Sequence, residues 1–143
     1  MAGDLGAGLA RELHDPGLLP GQGDFAGAGR LVVRDPATGE AVQQVATSDA
    51  AGARAAVDAA EAAFLGWAAM LPQDRAAILH RWHGLIVAAR EDLARIMVCE
   101  QGKPISEARG EIDYAASFVQ FYAEEALRPN IEGVTSHLPH AEM

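Results

Sequence analysis

Leu71-Pro72, Gly102-Lys103-Pro104 and Arg128-Pro129 restrict this sequence more than any other feature, because a proline removes a backbone donor and clashes with the preceding helical turn. Between these breaks the apolar residues recur at helical spacing. Ala53, Val57, Ala60, Phe64 and Trp67 follow one another by four and three, with Ser48 or Asp49 placed to cap the helix start. Pro72 suits the first turn of a second helix, whose stripe is Ile78, Trp82, Leu85, Ala89, Leu93 and Ile96 and which runs to Gly102. Gly102 fits a left-handed helix cap. Pro104 then opens a third helix with Ile105, Ala108, Ile112, Ala115, Val119, Tyr122 and Ala126 as its stripe, up to Arg128-Pro129. The spacing predicts three long helices.

Before the helices the pattern changes. Leu31 to Val33 is a short apolar run, Asp35-Pro36-Ala37-Thr38-Gly39 is a turn signal, and Val42 and Val45 follow it, which together predict a β-hairpin. Residues 1–29 are rich in glycine and turn-forming pairs and carry no sustained period, so a flexible N-terminal arm is expected there, ahead of one unit over residues 30–143. The stretch after Pro129 reads as irregular or as the start of a strand. The fold class expected for this chain is mostly α, a β-hairpin plus three long helices.

Composition excludes several functions. Half of the residues are hydrophobic, so a core can be buried, but alanine dominates and only 6% are aromatic, which favours closely packed helices over an aromatic core. The formal charge of −9 repels polyanions and argues against nucleic acid as a partner. One cysteine makes no internal disulfide, and no stretch approaches a membrane span, so no membrane partner and a cytoplasmic location are expected.

Residue chemistry by itself yields no active site. Cys99, the single cysteine, stands one turn from a predicted helix end, where the negative pole of the helix disfavours a thiolate, so packing is the expected role. His80 and His83, and His137 and His140, are pairs spaced by three that could in principle ligate a metal, but solvated or packing histidines account for them. "GAGRLV" at residues 27–32 lacks the preceding strand, third glycine and following helix of a dinucleotide loop. The acidic residues around "GEIDY" are ordinary for a solvated helix face.

The motifs taken in order are more informative. "DPATGE" at 35–40, "AAVDAAEAAFLGWA" at 55–68, "RAAILHRW" at 75–82, "EQGKP" at 100–104 and "EARGEIDYAASFVQFYAEEA" at 107–126 resemble the N-terminal region of the NAD(P)-dependent aldehyde dehydrogenase superfamily, most closely its succinate-semialdehyde dehydrogenase branch. The resemblance covers residues 31–143. It implies an N-terminal fragment of an α/β fold, a hairpin and helical segment of the cofactor-binding domain cut before the Rossmann-like units.

The resemblance also implies a chemistry: a cysteine attacks the aldehyde, hydride passes to NAD or NADP, and water activated by a glutamate hydrolyses the thioester. The family's Gly-Gln-x-Cys, Glu-Leu-Gly-Gly and Pro-Trp-Asn-Phe-Pro contexts for the nucleophile, base and oxyanion-binding asparagine do not occur in this chain. No catalytic or cofactor-binding residue is therefore expected in it, no cofactor is expected to bind it alone, and the isolated chain is expected to be inactive. Two minor sites carry over. Glu100 with the backbone of Val33 and Arg34 matches a monovalent-cation site of some relatives, and Glu111, Tyr114 and Phe118 match the wall of the aldehyde tunnel. The full-length enzyme would take a small aldehyde, succinate semialdehyde by this likeness, and form a homo-oligomer. The competing expectation is a stand-alone helical interaction module, or a pseudogene product, derived from such an N-terminus.

Overall fold

The computed structural model describes Leu13, His14 and residues 29–128. The remainder of the 1–29 arm and the tail that carries His137 and His140 lie outside the described residues. The element order is β1 (Gly29–Arg34), β2 (Ala41–Thr47), α1 (Ala50–Ala69), α2 (Pro72–Ala88), α3 (Arg90–Gln101) and α4 (Ile105–Glu125).

The two strands form the expected antiparallel hairpin, with Leu31 opposite Val45 and an irregularity between Val33 and Arg34. The turn is built by its own side chains. Asp35 Oδ1 accepts from the Ala37 amide at 2.7 Å, the Gly39 amide donates to the Asp35 carbonyl at 2.8 Å, and Arg34 Nη1 donates to the Gly39 carbonyl at 2.9 Å. Gly39 sits at φ 73°, a left-handed conformation that glycine adopts without a Cβ penalty.

Asp49 caps α1, its Oδ1 accepting from the amides of Ala51 at 3.0 Å and Gly52 at 2.8 Å. Gly102 ends α3 at φ 70°, with its amide donating to the Val98 carbonyl at 2.8 Å. Both ends fall where the sequence placed them.

The expected second helix is two helices. Ala89, at φ −89° and ψ 6°, leaves helical geometry between α2 and α3, so four helices stand where three were expected. No proline or glycine marks this bend. The three residues that follow it are each held by a distant partner: Arg90 by Asp113, Glu91 by Arg109, and Asp92 by His14. Tertiary contacts set the break, and the local sequence is silent about it.

The expected apolar stripes hold in part: Leu93 and Ile96 of the second and Ile105, Ala108 and Ile112 of the third pack in the core clusters. In α2 Ala76 is buried and Ile78, Leu79, His83 and Ile86 are half-buried, whereas Trp82 and Leu85 of the expected stripe are exposed. In α4 the buried residues are Ala108, Ile112, Ala116 and Ala123, spaced by four, four and seven, while Tyr122 is exposed. Ala94, Ala108 and Ile112 form the centre of the core, joined by Ile86, Leu93, Met97, Val98 and Ile105. Buried alanines let α4 approach α2 and α3 closely, which is where the composition pointed.

A smaller cluster joins Leu13 and Val42 to Ile96 and Cys99. Beside it the His14 amide and Nδ1 both lie 3.0 Å from Oδ1 of Asp92, the buried acid among the described residues. Leu13 thus packs with Val42 of the hairpin and with Ile96 and Cys99 of α3, and His14 ties the same stretch to α3 through the buried Asp92 carboxylate.

Candidate functional site

The hairpin turn and the α3–α4 junction form one seam. α3 packs on β1, and a Cβ at Gly102 would lie 2.8 Å from Cγ of Pro36, so glycine is required both for its backbone angle and for the approach of the turn. Glu100 is half-buried, one residue before the last of α3, and Val33 and Arg34 end β1 just before the turn. All three residues of the cation-type group therefore belong to elements that meet at this seam.

Lys103 follows Gly102 and its Nζ donates to Oε1 of Glu111 on the second turn of α4. Glu111, Tyr114 and Phe118 are spaced by three and four, so they share one stripe of α4, on the side away from Ile112 and Ala116. Tyr114 and Phe118 are 66% and 47% exposed and meet edge to face with ring centroids 4.8 Å apart. The three tunnel-wall residues of the resemblance thus lie together on an open aromatic face, with the Glu111 carboxylate engaged by Lys103.

An ion-pair cluster that the sequence did not single out clamps α3 to α4. Arg90 donates through Nε and Nη2 to the two oxygens of Asp113, each at 2.6 Å, and Arg109 grips Glu91 through Nε at 2.9 Å and Nη2 at 2.7 Å. The guanidiniums of Arg90 and Arg109 hold the Asp113 and Glu91 carboxyls below the usual carboxylate range, and the Asp113 bond pushes Arg90 up. The signal available beforehand was Arg109 and Asp113 at i and i+4 on one face of α4, but spacing on one helix does not reveal a partner on another.

Cys99 is half-buried against the Leu13–Val42 cluster, in line with a packing role. Among the described residues no three His, Cys, Asp or Glu side chains converge as a metal site, and His80 and His83 belong to no such group. No helix among those residues is long and apolar enough to cross a membrane.

Comparison with known proteins identifies the class that the hairpin, the helices and the motif order define. The profile of the aldehyde dehydrogenase family matches residues 25–142. The chain is 46% identical over 126 residues to a non-phosphorylating aspartate-semialdehyde dehydrogenase of Halomonas elongata, covering 87% of this chain and 26% of that protein. It is 41% identical over 121 residues to the NADP(+) succinate-semialdehyde dehydrogenase of Escherichia coli, covering 84% and 25%. The crystal structure of a succinate-semialdehyde dehydrogenase from Burkholderia pseudomallei superposes with a TM-score of 0.73 at 45% identity, over 79% of this chain and 25% of that one. The chain belongs to the aldehyde dehydrogenase family, as an N-terminal piece of that fold. It spans about a quarter of the length of the relatives it matches.

Proposed function

We propose that this chain is the N-terminal quarter of an NAD(P)-dependent dehydrogenase that oxidises a carboxylate-bearing semialdehyde, succinate semialdehyde first among them, to the acid. The observation that carries the reading is its identity of 41% or more with dehydrogenases named for aspartate and succinate semialdehydes. Those names share one substrate chemistry, an aldehyde and a carboxylate on the same short carbon chain.

In this reading the nucleophile, the general base and the dinucleotide loop belong to polypeptide beyond the matched quarter. The chain's own contribution is positional. The open face of α4, with Glu111, Tyr114 and Phe118, forms part of the tunnel wall, where the two rings exclude water from the aldehyde. Lys103 fixes the Glu111 carboxylate so that it does not confront the substrate's own. At the seam, Glu100 and the carbonyls of Val33 and Arg34 supply hard oxygen donors of the kind a monovalent cation takes. The enzyme works as a cytoplasmic homo-oligomer with NAD or NADP, and no nucleic acid or membrane takes part.

The test joins this chain to the remaining three quarters of the E. coli relative. The fusion should reduce NAD(P)+ with succinate semialdehyde, while the 143-residue chain alone should produce no NAD(P)H. Assays with the succinate, glutarate and aspartate semialdehydes rank the substrates by kcat/KM. A fusion that folds but oxidises only aldehydes without a carboxylate contradicts the proposal.

A further inference from the structure

We infer that Leu13 and His14 form a strap that fastens the hairpin to α3, and that lifting it frees the hairpin from the last turns of α3 while the core between α2, α3 and α4 stays folded. The inference concerns the mechanics of the chain itself and does not rest on the proposed function.

The strap is held at two points. Leu13 is buried and, with the buried Val42 of β2, forms the small cluster against which Ile96 and Cys99 of α3 pack. A leucine inserted between a strand and a helix holds them together through the apolar area that all three withdraw from water. One residue further on, His14 meets Asp92 near the start of α3, 78 positions away in sequence. Its amide donates to Oδ1 of Asp92 at 3.0 Å, and Nδ1, when that nitrogen carries the proton, donates to the same oxygen at 3.0 Å. A carboxylate withdrawn from water needs donors of this kind.

The two partners differ in exposure. The Asp92 side chain is 4% exposed and the His14 side chain 79%. The acid is built into α3, whereas the imidazole rests on it from the solvent side. Beyond the strap, the hairpin leans on the helices through β1 against α3 and through the close approach of Pro36 to Gly102. The core cluster of Ala94, Ala108 and Ile112 uses neither Leu13 nor Val42. Two clusters joined by a narrow contact are the condition under which one opens without the other. Opening would draw Val33 and Arg34 on β1 away from Glu100, the residue after Cys99 on α3, so the strap governs whether the seam is assembled.

Cys99, the single cysteine of the chain, reports the state of the strap because it packs against the Leu13 cluster. The test treats the 143-residue chain with dithiobis-nitrobenzoate, whose disulfide is attacked by the Cys99 thiolate to give a mixed disulfide and release thionitrobenzoate. The double change Leu13→Ala and His14→Ala should speed this release about ten-fold or more, with amide exchange from Ala108 to Ala123 unchanged within about two-fold. Cross-peaks between Pro36 and the end of α3 should weaken in the same variant. His14→Asn returns a donor near the place of Nδ1 and should react within about two-fold of the unaltered chain, whereas His14→Ala alone should react faster than either. An unchanged release rate in the double variant overturns the inference. So does a faster rate accompanied by lost protection of α4, which would make Leu13 part of one global core, or a His14→Asn variant as fast as His14→Ala.

Discussion

α1 and α4 are nearly equal in length and both carry apolar residues at helical spacing, but they have opposite environments. α4 buries Ala108, Ile112, Ala116 and Ala123 against α2 and α3, and α1 buries nothing. The difference lies in the neighbours. An apolar stripe records that a helix is built to be covered, while burial records whether the cover is within the described chain. α4 shows both conditions at once, one side in the alanine-rich core and the other open with its aromatic rings.

This contrast can be broken most forcefully at Ile112. Replacement by alanine removes the largest buried side chain of the α4 face and should cost about 3 kcal/mol in chemical denaturation of the chain. A cost below that of an exposed substitution would place the core elsewhere. Gly102→Ala comes next, at about 2 kcal/mol, because it combines a left-handed backbone with a Cβ 2.8 Å from Pro36 Cγ. Loss of the cross-peaks between Pro36 and the end of α3 would show the seam opening. Asp49→Ala removes the α1 cap and should cost about 1 kcal/mol of helix stability, read as lost far-ultraviolet helicity rather than as global unfolding, because α1 makes no substantial contact with another element among the described residues.

The clamp between α3 and α4 sharpens the same contrast through pH. The Glu91 and Asp113 carboxyls titrate below their ordinary range when folded, so their pairing stabilises the fold fully above that range. The contribution is lost as pH falls through the lowered values, below about pH 4. Arg109→Gln should therefore lower stability slightly near neutrality and leave it unchanged once both carboxyls are protonated. Acid titrations of the two proteins by circular dichroism should converge at the low end. The smallest effect is Phe64→Ala in the chain alone, within about 0.5 kcal/mol, since that ring is 63% exposed.

Local chemistry was legible in the sequence. The Asp35–Gly39 turn, the Asp49 cap, the Pro72 start and the Gly102 stop all depend on residues within a few positions of each other, and all stand where side-chain and backbone preferences put them. Partner choice was not legible. The Ala89 break lacks any local breaker and is held by Asp113, Arg109 and His14 across the fold. The stripe Ile78, Trp82, Leu85 was a real apolar face of α2, but only Ile78 of it is half-buried, while Ala76 is buried and Ile86 joins the core beside it. Two apolar faces on one helix leave periodicity unable to say which neighbour comes from this chain. The same holds for the site: Glu111, Tyr114 and Phe118 came from likeness to a family, and their common stripe on α4 follows from spacing alone, yet the Lys103 contact required the turn geometry.

The most direct measurement is amide hydrogen exchange on the 143-residue chain by itself, comparing α1 with α4 residue by residue. Exchange should be slow from Ile112 to Ala123 and close to the rates of an unstructured peptide along Ala53 to Trp67. Equal protection of the two helices would contradict it, because α1 would then be covered by the chain itself.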